Sequence, residues 1–241
     1  MCLPRALLVG TMNVMNQSST LGLRARSITD ALADALRERI LNGEVAGGTL
    51  LPEVDVATSY GVARPTAKAA IERLVVEGLL RRDAHKTARV PRFTVDDIDD
   101  LYRSREAIER DVVRTLASRG QVPTEALTAL RAIQDVGNLS TVEIVAPDVA
   151  FHTALVDALR LRRLSRLYGS LMGEMRLCMA QVQSYNLLSA DVIAREHGDI
   201  LAAIQSGDPE RAAESLTAHL ERARTALRSF MDEQRETGQA G

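Results

Sequence analysis

Glu53–Leu80 reads EVDVATSYGVARPTAKAAIERLVVEGLL. A short helix is expected over Glu53–Ser59, and Gly61 breaks it. A third helix is expected from about Arg64 to Glu77, because Ala67, Ala70, Ile71 and Leu74 recur at helical spacing, with Val62 just ahead of them facing the same way. The opposite face carries Arg64, Thr66, Lys68 and Glu72, and Gly78 ends the helix. Upstream, Ser27 and Asp30 are placed to cap a first helix over Thr29–Leu41, with Ile28, Leu32, Leu36 and Ile40 on its buried side and Gly43 as its stop. Thr49–Leu51 is expected to be a short strand. Downstream, Leu79–Arg82 and Thr87–Val90 are expected to pair as a hairpin around Asp83–Lys86. This order is that of a winged helix-turn-helix, a unit that places one helix in the major groove of DNA.

The whole chain holds 46% hydrophobic and 26% charged residues but only 3% aromatics and no Trp, and its Ala, Leu and Arg recur at helical spacing, which favours a mainly α protein. Arg24–Arg92 holds 12 Lys/Arg against 9 Asp/Glu, whereas Phe93 onward holds 17 against 23. Contact with a polyanion therefore belongs to the first part. Two cysteines, Cys2 and Cys178, build no disulfide framework, and no apolar run is long enough to span a bilayer, so a cytoplasmic setting is expected and a membrane partner is not. Residues 1–23 show no period and are expected to be a disordered tail.

The stretch LNGEVAGGTLLPEVDVATSYGVARPTAKAAIERLVVEGLL, within residues 24–92, resembles the DNA-binding domain of the GntR family of bacterial transcriptional regulators. The resemblance implies that Arg64, Thr66 and Lys68 contact a double-stranded operator, palindromic for a homodimer. Elementary geometry agrees, since Arg64 and Lys68 stand one turn apart near a helix N-terminus that favours phosphate. His85, Lys86 and Arg89 of the wing are placed to touch phosphate or the minor groove. Three departures from the family pattern prevent borrowing an operator sequence: Lys68-Ala69 replaces an Arg-Glu pair, Val54 replaces a frequent Arg, and the wing AHKTAR has no Gly.

After the linker Pro91-Arg92-Phe93, Thr94 caps a long helix over Val95–Ser118, and further helices are expected at about 124–136, 148–159, 162–184, 190–205 and 209–234. Within residues 93–236, the stretch PDVAFHTALVDAL (147–159) puts Asp148 and His152 on the stripe of Phe151, Leu155 and Leu159. His197 lines up with Ile193, Ile200, Leu201 and Ile204, and His219 with Leu216, Leu220, Ala223 and Leu227. Buried polar groups need partners. One carboxylate and three imidazoles suit a divalent transition metal, zinc, nickel or manganese, while the plainer alternative is three core histidines hydrogen-bonded separately.

LYRSREAIE, DVAFHTAL, REHGDILAAIQSGD and AESLTAHL resemble the FCD ligand-sensing domain of the FadR subfamily. The resemblance implies that Asp148, His152, His197 and His219 bind metal and that Arg105 reaches the carboxylate of a small organic-acid effector. Without it, Arg105 simply has Glu109 one turn away as a partner. DALRLRRL departs from an Asn-Pro turn frequent in the subfamily and leaves the helix break near Arg160 open. Met172, Met175 and Met179 form a stripe that is core filler first and pocket lining second. The expected protein is a repressor with a winged helix followed by an all-α bundle, catalysing nothing. A regulator responding to the metal itself, and a mononuclear metalloenzyme, are the alternatives.

Overall fold

The computed structural model describes residues 27–84, 86–136, 144–182 and 189–236. The tail expected over 1–23, His85 and the end of the helix expected to reach 184 lie outside these residues. The N-terminal part consists of α1 (Ile28–Leu41), β1 (Leu50–Leu51), α2 (Glu53–Tyr60), α3 (Arg64–Val76) and β2 (Ala88–Arg89). Ser27 caps α1 by accepting from the Asp30 amide at 3.0 Å. Gly61 closes α2 in the left-handed conformation, φ 64°, which turns the chain directly into α3. Ala67, Ala70, Ile71 and Leu74 are fully buried against Leu32, Leu36 and Ile40 of α1, so the expected inward face is the observed one.

Two local expectations fail. Ile28 is 68% exposed, because it is the first residue of α1 and projects before the helix meets α3. The expected hairpin is reduced to one bridge, Arg81 to Arg89; the ladder proper pairs β2 antiparallel with β1, Leu50 opposite Arg89 and Leu51 opposite Ala88. Leu79 and Leu80 are spent on closing α3 instead: Leu79 N–H and Leu80 N–H both donate to Leu74 O.

Phe93 and Val95, both buried, lead into α4 (Val95–Ser118). Thr94 and Asp97 cap it reciprocally, Thr94 N–H to Asp97 Oδ2 at 2.8 Å and Asp97 N–H to Thr94 Oγ1 at 3.3 Å. Five more helices follow: α5 (Thr124–Val136), α6 (Val145–Asp157), α7 (Arg162–Gln181), α8 (Ala190–Gln205) and α9 (Pro209–Glu236). α4 packs along α9 and crosses α6, α7 and α8; α5 covers α6 and α8. α6 begins three residues earlier than expected, which places Asp148 in its first turn and His152 in its middle.

Candidate metal centre and DNA-reading face

Three helices bring the four expected donors together at the centre of the bundle. Asp148 and His152 come from α6, His197 from α8 and His219 from α9, and all four are buried. One ligand atom from each lies within 4.8 Å of all the others. His152 Nε2 is 3.2 Å from His219 Nε2, which is 3.4 Å from His197 Nε2; that atom is 3.3 Å from Asp148 Oδ1. Donors held about 2.0–2.1 Å from one ion in a tetrahedron stand about 3.3–3.4 Å apart, so the spacing suits a single transition ion.

Two carboxylates fix the protons. His152 Nδ1 is 2.6 Å from Glu109 Oε2, and His219 Nδ1 is 2.8 Å from Glu196 Oε2. An ionised carboxylate only accepts, so each Nδ1 carries the hydrogen and each Nε2 presents a lone pair. Two such lone pairs facing each other in an apolar interior repel, and a shared cation relieves the repulsion. Burial depresses the pKa of all three imidazoles, His197 to about 3, and keeps them neutral as a metal requires. Burial alone would raise the pKa of Asp148, but the hydrogen bond with His197 and the neighbouring imidazoles bring it below the usual carboxylate range. His197 is held differently: its ring stacks on Phe151 at 3.8 Å, and its Nδ1 has no hydrogen-bond partner among the described residues.

Glu109 and Glu196 are the residues that sequence reasoning missed as partners of the histidines. Helical spacing predicts Glu109 only as a partner for Arg105, and that pair also exists, Arg105 Nε donating to Glu109 Oε1 at 2.9 Å. Tyr168 Oη donates to the same oxygen at 2.6 Å. Glu196 stands beside His197 in the sequence yet serves His219, and its other oxygen is ion-paired with Arg222. Arg105 is 2% exposed; its guanidinium stands 5.4 Å from the centre of the Tyr102 ring, and its Nη2 is buried without a partner among the described residues.

The other candidate residues lie on the N-terminal part. Arg64 and Lys68 are exposed on α3, with Arg64 Nε 3.4 Å from Glu53 Oε2 and Lys68 Nζ 3.7 Å from Glu72 Oε1; Thr66 is half-buried between them. Among the described residues, no side chain caps the N-terminus of α3, whose N-cap is Ala63. Lys86 and Arg89 are exposed on the wing, 3.4 Å and 4.0 Å from Asp83 Oδ2.

A winged helix-turn-helix followed by a separate all-α bundle is the architecture of a DNA-binding transcription regulator. Residues 28–90 match the model of the bacterial regulatory proteins of the gntR family, and residues 100–222 match the FCD domain. The chain belongs to the gntR family, with an FCD domain as its second part. It is 27% identical to the HTH-type transcriptional regulator YdhC of Bacillus subtilis (strain 168), over 83% of this chain and 91% of that protein. It is 24% identical to a protein of Paenarthrobacter nicotinovorans named "Probable D-xylose utilization operon transcriptional repressor", over 82% and 88%. The crystal structure of a GntR transcriptional regulator from Rhodococcus sp. RHA1 shares the fold, with a TM-score of 0.69 at 24% identity over 83% of this chain and 96% of that one. These are regulators of transcription and not enzymes, which sets the metalloenzyme alternative aside. No described helix is long and apolar enough to cross a membrane.

Proposed function

We propose that the protein is a cytoplasmic, homodimeric repressor in which residues 24–92 hold a palindromic operator and residues 93–236 bind a divalent transition metal and a small carboxylate effector. The observation that carries this reading is the convergence of three imidazole Nε2 atoms on Asp148, two of them fixed as lone-pair donors by Glu109 and Glu196. Asp148, His152, His197 and His219 hold the ion, zinc, nickel or manganese. An ion held by these four donors would supply the positive charge that a carboxylate oxygen meets on one side. Arg105 supplies the second grip through its unpaired Nη2, while Glu109 keeps the guanidinium oriented. On the DNA side, Arg64, Thr66 and Lys68 face the major groove, and Lys86 and Arg89, with His85, hold the flanking backbone.

A second reading, release of the operator by the metal alone, is favoured by one observation: Arg105 is already paired and almost wholly enclosed. One experiment separates the two. Fluorescence anisotropy of a labelled operator is followed with chelator-stripped protein, metal-loaded protein, and metal-loaded protein with a panel of small carboxylic acids. Release by an acid in the wild type but not in Arg105→Ala, with metal content equal in both, is expected. Release by metal with no acid effect supports the second reading, and no operator binding in any state overturns both.

A further inference from the structure

α7 forms the wall between the two parts of the molecule, and its two faces are engaged in different ways. On the bundle side, Tyr168 is fully buried and its hydroxyl donates to Glu109 Oε1 at 2.6 Å, while the other oxygen of Glu109 holds His152 Nδ1 at 2.6 Å. On the opposite side, α7 meets the C-terminal end of α3 through backbone. A methyl group on Gly173 would stand 1.7 Å from Glu77 O, and one on Gly78, whose φ is 77°, would stand 2.4 Å from Ser170 O. The close approach exists only because both positions lack a side chain. Polar contacts surround it: Arg81 Nη2 to Glu174 Oε2 at 2.6 Å, and Gln181 Nε2 to Pro91 O at 2.8 Å. Arg37 of α1 holds Glu77 from the far side through two bonds of 2.9 Å.

We propose that α7 is the transmitting element of this regulator: Tyr168 reads the state of the Glu109–His152 pair, and Gly173 with Glu174 passes the resulting position of α7 to the end of the recognition helix at Glu77–Arg81. The proposal rests on the metal-dependent reading given above and names the residues that carry its regulation. A helix is stiff along its axis, and Gly173 lies five positions after Tyr168, so a shift at one is felt at the other. Packed backbone with no side chain between transmits such a shift without the slack of a rotamer change. A ligand biases an equilibrium only through contacts that differ between its states. Here the differing contact is the Tyr168 hydroxyl on Glu109, whose second oxygen orients a ligand histidine.

The test uses full-length protein and zinc alone as probe, with amide hydrogen exchange read by mass spectrometry and metal content read by elemental analysis. In the wild type, chelation is expected to speed exchange several-fold both around Glu109 and at Leu74–Arg81. Tyr168→Phe leaves Glu109 still bonded to Arg105 and His152; it is expected to keep its metal and its response around Glu109 while losing the response at Leu74–Arg81. Gly173→Ala is expected to exchange fast at Leu74–Arg81 in both states with metal content unchanged. Gly169→Ala, on the same helix with open space around the added methyl, is expected to behave as wild type. A full response at Leu74–Arg81 in both Tyr168→Phe and Gly173→Ala overturns the relay, as does a wild type that responds around Glu109 alone. Should Tyr168→Phe lose its metal, Gly173→Ala decides by itself. A wild type that holds no zinc overturns the metal reading and the relay with it, and elemental analysis reports that result separately.

Discussion

His197 differs from the other two histidines in having no carboxylate behind it. Its Nδ1 has no partner among the described residues, and its ring rests on Phe151 with Nε2 turned to Asp148. Truncation there removes one donor and leaves the two carboxylate–histidine pairs intact, so His197→Ala is expected to fold and lose most of its metal. Glu196→Gln tests the supporting layer: Gln keeps an oxygen for His219 Nδ1 but removes the charge that makes the imidazole a better donor. A fall of about 10- to 100-fold in metal affinity is expected, the usual effect of such partners. Competition against a chromophoric chelator measures both variants, and equal metal in His197→Ala and wild type would return the site to three independent core histidines. The clustering of the four donors was legible because an imidazole or carboxylate on an apolar stripe is an anomaly visible at helical spacing. Their carboxylate partners were not, because Glu109 comes from α4, and its pairing with His152 depends on how α4 crosses α6.

Single elements carry two further expectations. Arg64 and Lys68 occupy the exposed face of α3, one held loosely by Glu53 and the other by Glu72. A bidentate base contact is worth about 1–3 kcal/mol, whereas a phosphate contact shows mainly in the salt slope. Titrations of Arg64→Ala and Lys68→Ala at several salt concentrations therefore assign each role, and unchanged affinity with an unchanged slope in both would remove α3 from the interface. The turn between α6 and α7 offers a stability test. Among the described residues, Arg160 alone of the non-glycines has positive φ, 56°, at the place where DALRLRRL departs from an Asn-Pro turn. Left-handed backbone costs an ordinary residue about 1–2 kcal/mol and Asn less, so Arg160→Asn is expected to raise the unfolding free energy by up to about 1 kcal/mol. Denaturant titration checks it, and a loss of stability would mean that the Arg160 side chain contributes more than the backbone costs. The long periodic elements were legible throughout: α4 and α8 fall where apolar spacing put them, bounded by Thr94 and Ser189. The wing was not, since strands of two residues carry almost no period, and β2 chose a partner in β1 far back in the chain.

At the scale of the whole molecule, the buried apolar residues form one continuous cluster, from Leu32 and Ile71 in the winged helix through Phe93 to Leu116, Phe151 and Leu220 in the bundle. The Gly78–Gly173 approach also joins the two parts backbone to backbone. Both parts are therefore expected to unfold in one transition, with the metal stabilising the winged helix although it touches only the bundle. The size of the effect follows from mass action: free metal at about 100 times its dissociation constant adds about 2.7 kcal/mol to the native state. For a chain of this length about 1 kcal/mol moves Tm by about 2–4 °C, so stripping the metal is expected to lower a single Tm by about 5–11 °C. Calorimetry of loaded and chelated protein at one protein concentration gives that shift directly. Circular dichroism would follow the helices of both parts, and release of pre-bound operator on heating would follow the winged helix alone. If chelated protein shows two transitions and the winged helix melts at a temperature indifferent to metal, the continuous core does not make one cooperative unit. The proposed control of DNA binding by the bundle would then have to act through the placement of two stable bodies and not through their shared stability.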